Sequence, residues 1–149
     1  MKSYGQECPV ARTLDILGDR WTLLIVRELF LGRTKFAEFQ AQLPGIPTNL
    51  LGERLKQLEE YGIVGRRFYS EHPPRAEYLL TEKGKALDPV LGALSEWGTR
   101  FTEPDAGGYL RIHTTCGEPL RLRWYCVHCK EPAERNVVLQ PRDGLAAAS

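Results

Sequence analysis

The chain has 149 residues, 42% of them hydrophobic and 26% charged, the balance of one soluble globular domain with a real core and at most a small appendage. A formal net charge of +1 excludes binding to nucleic acid through bulk charge, so any basic surface has to be local. Met1 to Val10 lacks the apolar core of a signal peptide, and the most apolar run, Leu23 to Val26, is far too short to span a bilayer, so a cytoplasmic protein with no membrane partner is expected.

Val10, Leu14 and Leu17 recur at helical spacing and Pro9 suits a first turn, which predicts a short helix from Pro9 to Leu17 ending at Gly18. Asp19 is the candidate cap of a second helix, whose residues Trp21, Leu24, Ile25 and Leu29 form an apolar stripe that stops before Gly32. Thr34 is the candidate cap of a third, with Phe36, Phe39 and Leu43 facing inward and a break at Pro44-Gly45. A fourth begins around Pro47 to Asn49, carries Leu51, Leu55 and Leu58 on one face, and ends at Tyr61-Gly62. Two short helices joined by a turn containing glycine read as a helix-turn-helix.

Ile63 to Tyr69 and Ala76 to Leu80 are rich in β-branched and aromatic residues and flank the bend Ser70 to Arg75, where Pro73 and Pro74 forbid a helix; a two-stranded ribbon is predicted. Helix, turn, helix, ribbon is the order of a winged helix. Thr81 caps a long helix predicted from Glu82 to about Phe101, in which Leu87, Val90, Leu94, Trp97 and Phe101 form an a/d seam. Pro89 either bends its axis or marks where the helix starts again. The seam is open to internal packing or to a dimer face.

Residues 103–108 are a linker by composition, and Tyr109 to Ile112, Leu120 to Tyr125 and Asn136 to Leu139 are strand candidates. The expected organisation is a winged helix-turn-helix and dimerisation domain over 1–102, the linker, a small β appendage over 109–141 and a frayed tail over 142–149. No internal repeat and no long low-complexity run is evident.

Three of the four cysteines fall between Cys116 and Cys129, and in a reducing compartment they read as metal ligands or reactive thiols before disulfides. His113-x-x-Cys116 and Cys126-x-x-Cys129 lie nine residues apart, and two such pairs at the neck of a hairpin suit a tetrahedral, structural Zn²⁺ with no open position for catalysis. A zinc-ribbon-like appendage is therefore expected, its small core supplemented by metal. His128 competes with His113 for the fourth place, and a thiol switch or simple burial of the thiols are the rival readings.

The runs "CPVARTLDILGDRWTLLIVRELFLG", "KFAEFQAQLPGI" with "LLGERLKQLEEYGIV", "RRFYSEHPPRAEYLLTEKGKAL" and "LSEWG" follow one another over residues 8 to 101. In that order they resemble the HxlR family of transcriptional regulators, dimeric winged-helix proteins related to the MarR type. The resemblance implies a homodimer on double-stranded DNA at a pseudo-palindromic operator, acting as a repressor or activator. The family opens its recognition helix with a Ser-Pro pair and a basic residue, where this chain has Pro47-Thr48-Asn49, so a different base preference is implied. Some members sense oxidants or electrophiles through a cysteine at the place of Cys8. A helix dipole at Pro9 would lower that thiol's pKa, which makes Cys8 a candidate sensor for a small-molecule or oxidant effector, against simple packing at a dimer interface.

The resulting fold expectation is mainly α with a small β wing, an α+β winged helix-turn-helix with dimerising terminal helices. An α-helix entering the major groove would present Thr48, Asn49, Gly52 and Glu53, with Lys56 one turn later. Asn49 suits an adenine edge, Glu53 a cytosine amino group and Thr48 a thymine methyl. Arg54 is open to a phosphate or to an ion pair that braces the fold, while Arg66, Arg67 and Arg75 suit phosphates or a narrow minor groove along the wing. A protein-interaction module is the second class of function. An enzyme is not expected, since no nucleophile-base arrangement, phosphate loop or open metal site stands out.

Overall fold

The computed structural model describes residues 3–71, 74–102, 108–133 and 137–140. The chain divides into two units, Met1–Gly98 and Thr99–Ser149. The first is built from α1 (Pro9–Leu17), α2 (Thr22–Phe30), α3 (Phe36–Gln42), α4 (Thr48–Glu60), β1 (Val64–Glu71), β2 (Pro74–Leu80), α5 (Glu82–Lys85) and α6 (Asp88–Phe101), whose last residues belong to the second. It is mostly helical with a small antiparallel wing, the winged helix-turn-helix arrangement.

Ile25, Val26 and Leu29 of α2, Phe39 of α3 and Leu51, Leu55 and Leu58 of α4 close one core with Ile63 and Val64 at the entrance to the wing. On α4 those leucines step by four and three, so one face of the helix is buried and the opposite face is left to solvent. Truncating Leu55, which is 1% exposed, removes about 2–5 kcal/mol of stability.

Two helix starts differ from expectation. Asp19 does not cap α2: Trp21 precedes that helix with a left-handed backbone at φ 78°, and Asp19 supplies its carbonyl to the Thr22 amide at 3.2 Å. The turn is made by the backbone of Trp21, a conformation an aromatic residue seldom adopts. Thr34 does not cap α3 either. The Glu38 carboxylate reaches back instead to accept from the Thr34 amide at 2.8 Å and the Lys35 amide at 2.9 Å, and these amides, Lys35 first, hold its pKa below the ordinary value.

The helix expected from Glu82 to Phe101 is two helices. Thr81 Oγ1 accepts from the Gly84 amide at 3.1 Å and donates to the Gly62 carbonyl at 2.6 Å, which fixes α5 onto the chain entering the wing. A Cβ on Gly84 would stand 2.2 Å from the Ile63 carbonyl oxygen, so only glycine admits this approach. The chain turns through Ala86 and Leu87, and Pro89, lacking an N–H, sits in the first turn of α6, where none is needed. Leu87 and Leu91 pack on the core, whereas Val90, Leu94, Trp97 and Phe101 are 40, 50, 61 and 58% exposed. In α1, Leu17 is buried while Val10 and Leu14 are exposed.

The wing pairs β1 with β2 in register Val64↔Leu80 to Phe68↔Ala76, shifts at Phe68/Ser70, and continues through Ser70↔Arg75. It therefore reaches nearer its tip than Tyr69 and Ala76; His72 and Pro73 lie outside the described residues.

In the second unit, β3 (Tyr125–Cys126) pairs antiparallel with β4 (Glu131–Pro132), and Ile112 bridges Pro119. The strands expected at Tyr109 to Ile112 and Leu120 to Tyr125 do not form as continuous strands, and residues 137–140 carry no regular structure. Past α6 no described residue is buried, so there is no apolar face for an alternating strand to cover. Asn136, the linker residues 103–107 and the tail 142–149 lie outside the described residues.

Candidate nucleic-acid interface

The start of α4 is set by its neighbours. Pro47 leads in with an extended backbone, no side chain caps the helix, and Gln40 of α3 donates through Nε2 to Thr48 Oγ1 at 2.8 Å. Leu51, Leu55 and Leu58 face the core, so Asn49, Glu53 and Lys56, at i, i+4 and i+7, share the opposite face. Thr48, Asn49 and Glu53 are exposed, and Gly52 is half-buried with open space on the side where a Cβ would project. Among the described residues the Asn49 and Glu53 side chains make no hydrogen bond or ion pair. A polar, uncapped helix start with a flat Gly52 can approach base edges closely.

The basic residues divide by what already holds them. Arg54, 18% exposed at its side chain, donates through Nε to the Arg20 carbonyl at 3.4 Å and pairs with Asp19 Oδ2 at 3.4 Å, so a phosphate would compete with this ion pair for its guanidinium. Lys56 pairs with Glu60 at 3.7 Å and remains largely exposed. On the wing, Arg66 pairs with Glu59 of α4 at 3.4 Å and lies 5.1 Å over the Phe68 ring. Arg67 donates through Nε to Glu77 Oε1 at 2.7 Å across the ribbon. Arg75 is exposed and makes no ion pair among the described residues. Arg66 and Arg67 must exchange a carboxylate for any phosphate they meet, and Arg75 need not.

Two contributors had no local signal in the sequence. Gln40 lies eight residues before the hydroxyl it holds, and Lys35, bridged through its backbone to Glu77, places Nζ 5.5 Å over the ring of Tyr69 on the wing. Each depends on α3 packing beside α4 or β2, which no short motif encodes.

Cys8, half-buried, occupies the position before Pro9 at the start of α1. The Ala11 amide, and then that of Val10, hold its thiol below the ordinary value. In the second unit the expected ligands stand as two pairs: His113 Nδ1 is 3.2 Å from Cys116 Sγ, and Cys126 Sγ accepts from the Cys129 amide at 3.4 Å. Among the described residues no three His, Cys, Asp or Glu side chains gather into one cluster. The Cys129 amide, the Cys129 thiol and the His128 amide, in that order, lower the Cys126 thiol, while Cys126 raises that of Cys129. His128 Nδ1 lies 3.9 Å from Cys129 Sγ.

Comparison with known proteins is consistent along the chain. The HxlR-like helix-turn-helix family matches residues 16–106. The HTH-type transcriptional regulator Rv3095 of Mycobacterium tuberculosis, itself uncharacterized, is 41% identical over 140 residues, 93% of this chain and 88% of that one. The crystal structure of PA1607 superposes with a TM-score of 0.76 at 37% identity, covering 91% of this chain and 96% of that one. The redox regulator HypR in its reduced form superposes with a TM-score of 0.59 at 38% identity over 63% of this chain and 95% of that one. The first two likenesses are too long to be confined to the winged helix; that to HypR is not.

Proposed function

We propose that this chain, which belongs to the HxlR-like helix-turn-helix family, is a homodimeric regulator that recognises a pseudo-palindromic operator through α4 and the wing and represses transcription there. It is a transcriptional regulator of helix-turn-helix type, a family of regulators rather than enzymes. Among the described residues no helix is long and apolar enough to cross a membrane.

The observation that carries the DNA reading is the exposed start of α4, where Asn49 and Glu53 stand unengaged beside Gly52 and opposite the buried leucines. Base readout needs polar side chains with spare hydrogen-bonding capacity at a helix start. Arg75, with Arg66 and Arg67 behind it, supplies phosphate contacts on the wing. A protein-docking module would present an apolar patch there, and this face of α4 is polar.

Dimerisation is assigned to a second copy of this chain seated on the apolar residues that α1 and α6 leave exposed, Val10, Leu14, Val90 and Leu94 among them. A dimer places two α4 helices in successive major grooves. The direct test is titration of the reduced full chain against a candidate operator and a random duplex at two salt concentrations, with subunit number read in parallel.

A redox or electrophile response is the second reading, favoured by Cys8, whose thiol lies at a helix start under two backbone amides, and by the likeness to the redox regulator HypR. Alkylation of the Cys8 thiolate by an electrophile would place a new group between α1 and whatever packs on it. Release of DNA on such treatment, absent in Cys8→Ser, tests it.

A further inference from the structure

The second unit contains an internal repeat that its residue types conceal. Residues 111–120, R-I-H-T-T-C-G-E-P-L, and 124–133, W-Y-C-V-H-C-K-E-P-A, share only Cys, Glu and Pro at equivalent places. Their backbones nevertheless match at a constant offset of 13 residues. Leu120 N–H donates to the Arg111 carbonyl at 2.7 Å, and Ala133 N–H to the Trp124 carbonyl at 2.8 Å. Ile112 bridges Pro119, and Tyr125 pairs with Pro132. At the tips, Gly117 N–H donates to the His113 carbonyl and Lys130 N–H to the Cys126 carbonyl, both at 2.8 Å. Gly117 and Lys130 are both left-handed, at φ 77° and 58°.

Each hairpin thus ends in the same five-residue turn, with a metal-ligating side chain at its first and fourth positions and a left-handed residue at its fifth. Lys130 adopts a backbone that an L side chain rarely takes, as the second turn requires. In the first turn the two side chains meet, His113 Nδ1 lying 3.2 Å from Cys116 Sγ, and in the second the Cys129 backbone amide donates to Cys126 Sγ at 3.4 Å. A turn that brings two donors together and aims a backbone N–H at sulfur is built to hold half of a tetrahedral thiolate site.

We propose that the two hairpins are the halves of one structural zinc site, with His113, Cys116, Cys126 and Cys129 as its four ligands. The repeat settles which histidine serves. His113 is equivalent to Cys126, a ligand position, whereas His128 is equivalent to Thr115, a position inside the turn. The donor set of one imidazole and three thiolates suits Zn²⁺, and four protein ligands leave it a folding role rather than a catalytic one. The structure holds the pairs separately, and past α6 no described residue of the unit is buried. The metal supplies the tie between hairpins that apolar burial does not. This inference does not depend on the DNA reading.

The experiment is native mass spectrometry of the reduced full chain expressed with zinc, followed by Co²⁺ substitution and absorption spectroscopy. One metal per chain and a tetrahedral Co²⁺ spectrum with sulfur-to-metal charge transfer are expected. His113→Ala weakens zinc binding at least about tenfold and changes the Co²⁺ spectrum, while His128→Ala changes neither. A reduced chain that carries no zinc and gives no tetrahedral Co²⁺ spectrum overturns the site. Metal binding that survives His113→Ala unchanged, or is lost in His128→Ala, overturns the pairing drawn from the repeat.

Discussion

Gln40 Nε2 donates to Thr48 Oγ1 across 2.8 Å, so the third helix holds the first residue of the fourth. Because the Thr48 oxygen is used as an acceptor, its own hydrogen stays available to a phosphate or base. Gln40→Ala should therefore leave thermal unfolding almost unchanged, the pair being exposed, yet weaken binding to a preferred duplex by about 1 kcal/mol, roughly fivefold. Fluorescence anisotropy and a melting curve on the same sample separate the two effects.

Asn49 and Arg75 should fail differently. Asn49→Ala is expected to cost about 1–3 kcal/mol on the preferred duplex and little on random DNA, since it removes base readout. Arg75→Ala should weaken binding to both and reduce the salt slope by about 1, the signature of one lost phosphate contact. Equal losses for both variants on both duplexes would contradict the division of roles.

Gly84→Ala places a Cβ 2.2 Å from the Ile63 carbonyl oxygen and 2.9 Å from Leu80 Cδ2. Backbone has to move, and a loss of about 1–3 kcal/mol is expected in urea unfolding. Conversely Thr22→Val should stabilise by roughly 1 kcal/mol. Thr22 is fully buried and its hydroxyl has no hydrogen-bond partner among the described residues, so valine removes a desolvated polar group at nearly constant volume.

Leu94 is half-exposed on α6 beside Val90, on the face assigned to the second subunit. Leu94→Glu would place a charge there and is expected to yield a folded monomer by native mass spectrometry and light scattering. DNA affinity should fall with it, because one half-site is then read alone.

The pH dependence of Cys8 alkylation follows from the amides of Ala11 and Val10, which stabilise the thiolate. The thiolate is the nucleophile, so a lowered pKa makes more of it at neutral pH and moves the midpoint of the rate profile below that of an ordinary thiol. Peptide mapping of iodoacetamide labelling should show that displacement in the native protein and its loss in urea. Coincident native and unfolded midpoints would remove the effect.

The winged helix was legible in the sequence because its signals are local and redundant. Leu51, Leu55 and Leu58 mark a helical face, Pro44-Gly45 and Gly62 mark breaks, and the β-branched and aromatic runs around Pro73 and Pro74 mark a ribbon. Caps were less legible. Whether Thr34 or Glu38 serves α3 depends on a side chain reaching back, and the left-handed Trp21 turn has no compositional sign. The repeat in the second unit was concealed because its likeness lies in backbone hydrogen bonds: His113 and Cys126, or Gly117 and Lys130, fill equivalent places with unlike side chains. The state of Arg54 was open for a related reason, since its partners Arg20 and Asp19 come from another helix-helix junction.

The most direct test of the central claim is selection of bound duplexes from a random library by the purified, reduced full chain at physiological salt. A pseudo-palindrome whose half-sites lie about 10 base pairs apart is the expected product, with enrichment lost in Leu94→Glu and the recovered sequence altered in Asn49→Ala. Recovery of no common sequence, or of one unrepeated half-site bound equally well by Leu94→Glu, would contradict a homodimer that reads DNA through α4.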